Sequence, residues 1–202
     1  MRTKTKARAP RLVSPAHNGN GHVIAEPLKL DLGCGPSKRE GFKGVDLCKF
    51  NGVDFVVDLT KRWPWADNSV EEAYSSHFIE HLDPLDRIHF CNELWRVLKP
   101  GGKCQIIAPD WSSGRAYGDL THKWPPISSF WFNYLLKEWR MANAPHDDIS
   151  WNPKGYSCDF EHTGGYMMHP SLNARNQEYQ QYALQFLKEA CQDVFVTWTA
   201  RK

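Results

Sequence analysis

The sequence predicts an α/β fold built on a mostly parallel sheet. Short apolar runs typical of strands recur through the first half of the chain, and they end in glycine turns or beside acidic residues. One strong helical pattern follows the fourth run, and a fifth run comes after it. Strands joined by helices form parallel sheets, which bind ligands beyond the carboxyl ends of their strands. We therefore expect a binding site at those ends.

The first predicted strand covers residues 28–32, where leucines alternate with polar residues. It ends in the turn Gly33-Cys34-Gly35. Glycines allow a positive φ or the close approach of a ligand to the main chain, so this turn is a candidate binding loop. It differs from the G-x-G-x-x-G motif of nicotinamide-binding domains, because Lys38 stands in place of the third glycine.

Three more strands are predicted over residues 42–47, 53–59 and 70–76. Asp46 lies near the end of the first of these, and Asp58 near the end of the second. A carboxylate in this position can accept hydrogen bonds from the two vicinal hydroxyls of a ribose. Asp46 is therefore a candidate nucleoside ligand, and a role as a turn cap is the alternative.

A helix is predicted to begin at Pro84, with Asp83 as its N-cap. The apolar spacing predicts one face toward the sheet, formed by Leu85, Ile88, Cys91, Trp95 and Leu98. The residues predicted to face solvent are Arg87, Asn92, Glu93 and Arg96. The run Lys99-Pro100-Gly101-Gly102 is predicted to end the helix and to lead into a fifth strand over residues 103–110.

Residues 111–169 are predicted to form a lid or substrate insertion after the fifth strand. They contain 12 of the 26 aromatic residues, and a helical pattern runs from Ile127 to about Met141. Aromatic walls suit a pocket for a planar substrate or a lid that excludes water, and an aromatic core of the insertion itself is the alternative. By position alone, the candidate substrate contacts are Asp110, Trp111, Tyr117 and His122.

The chain ends with a predicted helix over residues 174–192 and a predicted strand over residues 194–199. Besides this last strand, the sheet needs one other late strand, and the sequence does not show which segment forms it. Residues 165–168 are a poor candidate for it.

The charge distribution separates a basic amino-terminal segment from a slightly acidic remainder. Residues 1–11 contain five basic residues and no acid, which leaves 20 Lys+Arg against 23 Asp+Glu, a charge of about −3. Residues 1–24 are predicted to be a disordered tail ahead of one domain over residues 25–202. The tail could bind nucleic acid weakly, but the charge of the domain does not indicate a nucleic-acid-binding face.

No apolar run approaches the ~18 residues of a membrane span, and the basic first residues are not followed by the apolar core of a signal peptide. We expect a soluble, cytoplasmic protein without a membrane partner. The six cysteines show no paired spacing, and the nine histidines do not combine with them at zinc-finger spacing. We therefore expect reduced thiols and no metal site. The sequence does not determine the oligomeric state.

These motifs resemble those of the class I, Rossmann-like S-adenosylmethionine-dependent methyltransferases, of the small-molecule type similar to methyltransferase type 11. The segments that carry the resemblance include Asp31 to Gly35 and the run from Glu93 to Gly102. The resemblance implies a three-layer sheet of seven strands with an antiparallel carboxyl-terminal strand, and S-adenosylmethionine as the cofactor. It places the ribose at Asp46 and the adenine at Asp58-Leu59. The full set of implied cofactor-binding residues is Asp31, Gly33, Cys34, Gly35, Asp46, Leu47, Asp58, Leu59, Ser76 and His77.

The implied reaction is methyl transfer to an acceptor that the sequence does not identify, and a small molecule is the expected one. His77 and His81 follow the fourth predicted strand, and with His122 they are the candidate catalytic bases, because imidazole accepts a proton near neutral pH. Packing or helix capping is the alternative role for His81, which lies in a Glu-His-Leu run. Ser-Ser-His-Phe at residues 75–78 replaces the Asn-Pro-Pro-Tyr signature of amino-methylating nucleic-acid enzymes, which disfavours base amines as acceptors.

Two further functions stay open at this point. The first is a catalytically silent S-adenosylmethionine-binding module that acts through partners. The second is a transferase that uses a related nucleoside as an aminopropyl donor.

Overall fold

The computed structural model describes residues 27–202, and the predicted tail over residues 1–24 lies outside them. Seven strands form one sheet in the order β3-β2-β1-β4-β5-β7-β6. β1 to β5 pair in parallel, whereas β7 is antiparallel to both of its neighbours, as the sequence predicts for the last strand. The strands are β1 (Leu28–Leu32), β2 (Lys43–Asp46), β3 (Val53–Val56), β4 (Val70–Ser76), β5 (Leu98–Pro109), β6 (Phe160–Met168) and β7 (Cys191–Ala200).

Four α-helices accompany the sheet in the described range: α1 (Pro84–Val97), α2 (Arg115–Gly118), α3 (Lys137–Asn143) and α4 (Gln177–Phe186). Short 3-10 helices cover Ile79–His81, Ser129–Leu135, Pro145–Asp147 and Pro170–Leu172. None of the helices within residues 27–202 has the length and apolarity needed to cross a bilayer.

α1 begins at Pro84, as predicted, but the face that it buries differs from the prediction. Phe90 and Leu94 are fully buried with Leu30 and Leu32 of β1 in one core cluster. Leu85, which was predicted to face the sheet, is 56% exposed. Cys91 and Leu98 of the predicted face are buried, so the buried stripe overlaps the predicted one but extends toward Phe90 and Leu94 and excludes Leu85.

Arg87 and Glu93 of α1 were predicted to face solvent, and this prediction is wrong because both are buried. Arg87 donates hydrogen bonds of 2.5 to 3.2 Å to five main-chain carbonyl oxygens, two of them at Lys123 and Pro125. Glu93 accepts a hydrogen bond of 2.7 Å from the amide of Trp63. Buried charges are tolerated when they are hydrogen-bonded in this way, so the polar groups of α1 connect it to two loops.

β5 begins earlier than predicted. α1 ends at Val97, and Lys99-Pro100-Gly101-Gly102 lies inside the strand instead of ending the helix. The pairing of β5 with β4 shifts register between Val70 and Glu72, beside this run. Proline has no N–H for the sheet and Gly101 has a φ of +74°, so the run forms an irregularity in a long strand.

The late part of the chain also corrects the sequence prediction. Residues 165–168 are the end of β6, which pairs with β7 along its length. α4 covers only part of the predicted helix, and β7 begins at Cys191, inside it. A Cβ atom at Gly164 would lie 2.3 Å from the carbonyl oxygen of Phe195, so the glycine that weakens the local strand signal is required by close packing on β7.

The segment between β5 and β6 covers most of the range predicted to be a lid or substrate insertion, and β6 takes the last residues of that range. Its helical pattern breaks at Leu136, between the 3-10 helix Ser129–Leu135 and α3. Arg140 of α3 is fully buried and forms an ion pair of 2.8 Å with Asp148, which is 2% exposed. This pair fixes α3 against the loop that follows it.

The connections between the first four strands contain no helix in the described part of the chain. On the sheet face opposite α1, Lys29 therefore pairs with Glu72 at 2.6 Å, and the guanidinium of Arg39 lies 4.3 Å from the ring centroid of Tyr74. Short connections also keep the residues that follow β1 close to those that end β2.

Candidate cofactor and acceptor sites

Three of the predicted cofactor-binding segments meet at the carboxyl ends of β1, β2 and β3. Asp46 connects them, because its Oδ2 accepts a hydrogen bond of 2.9 Å from the amide of Gly35. Its main-chain oxygen accepts a hydrogen bond of 2.9 Å from the amide of Val57, the residue before Asp58. The sequence positions that were predicted to bind one cofactor are thus neighbours in space.

The turn at Gly35 leaves room for a ligand. Gly35 has a φ of +52°, and a Cβ atom at this position would meet no atom within 4 Å. Gly33 has another role, since a Cβ atom there would lie 2.2 Å from the ring of Phe78. The Asp46 carboxylate is held beside the open turn by a second hydrogen bond, of 3.0 Å, from the amide of Cys48 to Oδ1. An open main-chain turn next to an oriented carboxylate fits the ribose end of S-adenosylmethionine.

Asp31 and Asp58, the other two acidic residues among the predicted cofactor ligands, are also hydrogen-bonded to the main chain. Asp31 is buried and accepts a hydrogen bond of 2.7 Å from the amide of Arg39, while burial raises the pKa of its carboxyl. Asp58 accepts hydrogen bonds of 2.7 and 2.9 Å from the hydroxyl and amide of Thr60, and these lower its pKa. Both carboxylates therefore shape the loops that surround the open turn.

The remaining predicted cofactor-binding residues lie along the same edge. Leu47 is 65% exposed just beyond β2, whereas Leu59 is buried in the core. Cys34 and Ser76 are partly buried, at the ends of β1 and β4 respectively.

His77 is the first residue beyond β4, and its main chain has a φ of +52°. This region is uncommon for a residue other than glycine and is often found at functional sites. Nδ1 of His77 lies 3.3 Å from the carboxylate of Glu80, which raises the pKa of the imidazole. The sequence prediction missed Glu80, because its burial depends on the turn that follows β4.

The three candidate catalytic histidines line one cleft. It has a volume of about 640 Å³, lies beyond the ends of β4 and β5, and is lined by His77, His81 and His122 among others. The ring centroids of His81 and His122 are 4.8 Å apart. Folding therefore brings His122 beside His81, which lies 41 residues earlier in the sequence.

An aromatic cavity of about 530 Å³ lies next to this cleft. The segment over residues 115–124, which we call the strap, lines both spaces. Tyr117 and Trp124 of the strap line the aromatic cavity, whereas Gly118 and His122 line the cleft. The side chains that complete the aromatic wall include Trp111, Phe130, Trp131, Tyr134 and Tyr156.

The predicted substrate contacts are divided between these spaces. Trp111 and Tyr117 line the aromatic cavity and His122 lines the cleft. Asp110 is buried and accepts a hydrogen bond of 2.9 Å from the amide of Ser112, and burial raises its pKa. It lines neither space. Trp124 was missed as a site residue, although the aromatic density before Pro125-Pro126 was a signal for it.

Comparison with known proteins gives a match to a domain model and similar folds among solved structures. Residues 37–106 match the family model described as a methyltransferase domain. Among solved structures, the chain is similar to a SAM-dependent methyltransferase from Archaeoglobus fulgidus, with a TM-score of 0.60, 19% identity and coverage of 86% of each chain.

Two further structures have a TM-score of 0.51. The first, from Thermotoga maritima, is described as a SAM-dependent methyltransferase and possible histamine N-methyltransferase; it is 17% identical, with coverage of 88% of this chain and 84% of that one. The second, a SAM-dependent methyltransferase from Methanosarcina mazei, is 15% identical, with coverage of 89% and 95%. At such identities the likeness establishes the fold.

The fold is the Rossmann-like fold of the class I S-adenosylmethionine-dependent methyltransferases. The domain match over residues 37–106 supports an S-adenosylmethionine-dependent enzyme of this class. The predicted fold is confirmed, and the domain match supports the family, the enzyme class and the cofactor that the sequence predicts.

Proposed function

We propose that the protein transfers a methyl group to a small molecule whose planar or apolar body binds in the aromatic cavity. The main support for this proposal is the exposure of two aromatic side chains that line the cavity. Trp124 and Phe130 line the cavity, yet they are 74% and 61% exposed. Aromatic side chains that only formed a core for the insertion would be buried, as Phe132 and Tyr156 are.

The size and lining of the cavity support the same class of acceptor. A volume of about 530 Å³ is within the range of small-molecule sites, which are mostly apolar with few polar groups. The buried guanidinium of Arg87 reaches the cavity with its donors occupied by carbonyl oxygens. The lining therefore favours stacking and apolar contact over recognition of a highly charged molecule.

The proposed position of the cofactor is at the carboxyl ends of β1, β2 and β3. Asp46 would accept hydrogen bonds from the ribose beside the open turn at Gly35, and Asp58-Leu59 would contact the adenine. S-adenosylmethionine supplies an activated methyl group when bound, so the main work of the protein is to position the acceptor and exclude water. His77, His81 and His122 are the proposed proton acceptors in the adjoining cleft for an acceptor that loses a proton.

The prediction that tests the acceptor cavity is the Trp124→Ala variant. We expect the KM for the acceptor to rise roughly 10- to 100-fold, because removal of a stacked indole costs about 1.5–3 kcal/mol of binding. The affinity for S-adenosylmethionine should not change. The measurement is release of S-adenosylhomocysteine with a panel of small phenols, amines, thiols and carboxylates, followed by kinetics on the best acceptor.

Trp151→Ala is the matched control, because Trp151 is 71% exposed but does not line the cavity. It should leave the KM unchanged. If Trp124→Ala and wild type turned over the same acceptor with equal KM, the aromatic cavity would not be the acceptor site.

A further inference from the structure

We propose that Glu80, His81 and His122 bind a divalent transition-metal ion of the Zn²⁺ type. Each residue offers one ligand atom, and these three atoms lie within 4.8 Å of one another. Two imidazoles and one carboxylate are a donor set that suits Zn²⁺ and leaves a fourth position for water or another oxygen ligand. The inference does not depend on the identity of the methyl acceptor. A bound ion would occupy the lone pairs of His81 and His122, so that His77 would be the one candidate base left to accept a proton.

The carboxylate of Glu80 is the second observation that indicates a ligand. Glu80 is 3% exposed, and among residues 27–202 neither of its carboxylate oxygens has a hydrogen-bond partner. Nδ1 of His77 is 3.3 Å from Oε1 and forms an ion pair with it when the imidazole is protonated, but the contact lacks hydrogen-bond alignment and leaves Oε2 without any partner among the described residues. A buried carboxylate without a donor is costly, and a bound cation removes that cost.

Hydrogen bonds at the outer side of each histidine prepare the rings for metal binding. The hydroxyl of Thr121 donates to Asp119 at 2.7 Å, so its oxygen is free to accept a hydrogen bond from Nδ1 of His81 at 3.0 Å. Nδ1 of His122 lies 3.3 Å from the carbonyl oxygen of Ala116. Both contacts place the proton on Nδ1 and leave the lone pair on Nε2, which is the usual outer shell of a metal-bound histidine.

The surrounding charges are compatible with a cation. Oδ2 of Asp119 lies 3.8 Å from Nε2 of His122, which places a second carboxylate nearby. Arg115, which lines the same cleft, is paired with Asp193 at 2.8 Å, so its charge is compensated.

Metal binding would draw the ligand atoms closer together. Metal–nitrogen bonds of about 2.0–2.1 Å require tetrahedral ligands to lie about 3.3–3.5 Å from one another. His81 belongs to the 3-10 helix after β4 and His122 to the strap. The ion would therefore tie the strap to the sheet, in the cleft where the strap borders the aromatic cavity.

The test is titration of the full-length, chelator-treated chain with Zn²⁺ by calorimetry, and with Co²⁺ by visible absorption. A Cys48→Ser background removes the exposed thiol, which could bind either ion. We expect one ion per chain. His122→Ala should weaken binding by at least roughly 100-fold, and Thr121→Val, which removes only the outer hydrogen bond, by roughly 10- to 100-fold.

His146→Ala is the matched control. His146 is exposed and lies 3.5 Å from Asp147, so it is a surface histidine–carboxylate pair outside the cluster. Its loss should leave the affinity unchanged. Absence of stoichiometric Zn²⁺ and Co²⁺ binding, or equal affinity in wild type, His122→Ala and Glu80→Gln, would overturn the proposal. Circular dichroism of each variant separates loss of the site from loss of the fold.

Discussion

Gly35→Val is expected to weaken the binding of S-adenosylmethionine by about 100-fold or more, which corresponds to about 3 kcal/mol. The added side chain would project into the open space beside the Asp46 carboxylate, where the proposed ribose site lies. Calorimetric titration of wild type and variant with S-adenosylmethionine measures the effect directly.

A matched control separates this effect from backbone strain. Gly41 also has a positive φ, of +79°, and a Cβ atom there would meet no described atom within 4 Å. The residue precedes β2, however, and so lies at the amino ends of the strands, away from the proposed cofactor site. Gly35→Val and Gly41→Val should therefore lose similar stability, of about 1–2 kcal/mol each for a positive φ. Only Gly35→Val should lose affinity for S-adenosylmethionine. Equal affinities in the two variants would mean that the turn at Gly35 is not the cofactor loop.

Asp148→Asn should reduce the free energy of unfolding by about 3–5 kcal/mol, because it leaves the buried guanidinium of Arg140 without its counter-charge. Urea unfolding at pH 7 measures the loss. Asp147→Asn is the control: its partially exposed carboxylate lies 3.5 Å from His146, and its removal should change the stability by less than about 0.5 kcal/mol. Equal losses of unfolding free energy in the two variants would show that the Arg140–Asp148 ion pair does not stabilise the fold more than the exposed pair does.

The same pair predicts how stability depends on pH. Burial alone would raise the pKa of Asp148, but hydrogen bonds from Ser150 and Arg140 outweigh burial and lower the pKa to about 2. The carboxylate is therefore more acidic in the folded chain than in the unfolded one, where its pKa is about 3.9. Its stabilisation is present above about pH 4 and is lost as the pH falls toward 2. The difference in stability between wild type and Asp148→Asn should shrink over this range, and a constant difference would contradict the assignment.

Much of the proposed cofactor site, at the carboxyl ends of β1 and β2, could be predicted from the local sequence. β1 and β4 have the predicted bounds, and the glycine turn and Asp46 lie where the pattern indicates. Alternating apolar residues and a glycine-containing turn are local signals, because side-chain period and allowed φ depend on a few neighbouring residues. The roles of the individual residues in binding the cofactor stay predictions.

Other features depend on contacts that sequence spacing does not report. The hydrophobic spacing of α1 was right for Cys91 and Leu98 and wrong for Leu85. It also missed Arg87 and Glu93, which are buried through hydrogen bonds to distant loops. β6 was not recognised, because its glycines are accommodated only by close packing on β7.

The sequence by itself indicated the class of enzyme and the loop proposed to contact the cofactor, and it determined the order of the parallel strands along the chain. Only the tertiary structure decided that Glu80 is buried beside His81 and His122, and that the strap separates this cluster from an aromatic cavity. The reason is physical: a turn or a strand is encoded by adjacent residues, whereas burial and convergence of side chains depend on which distant segments pack against one another.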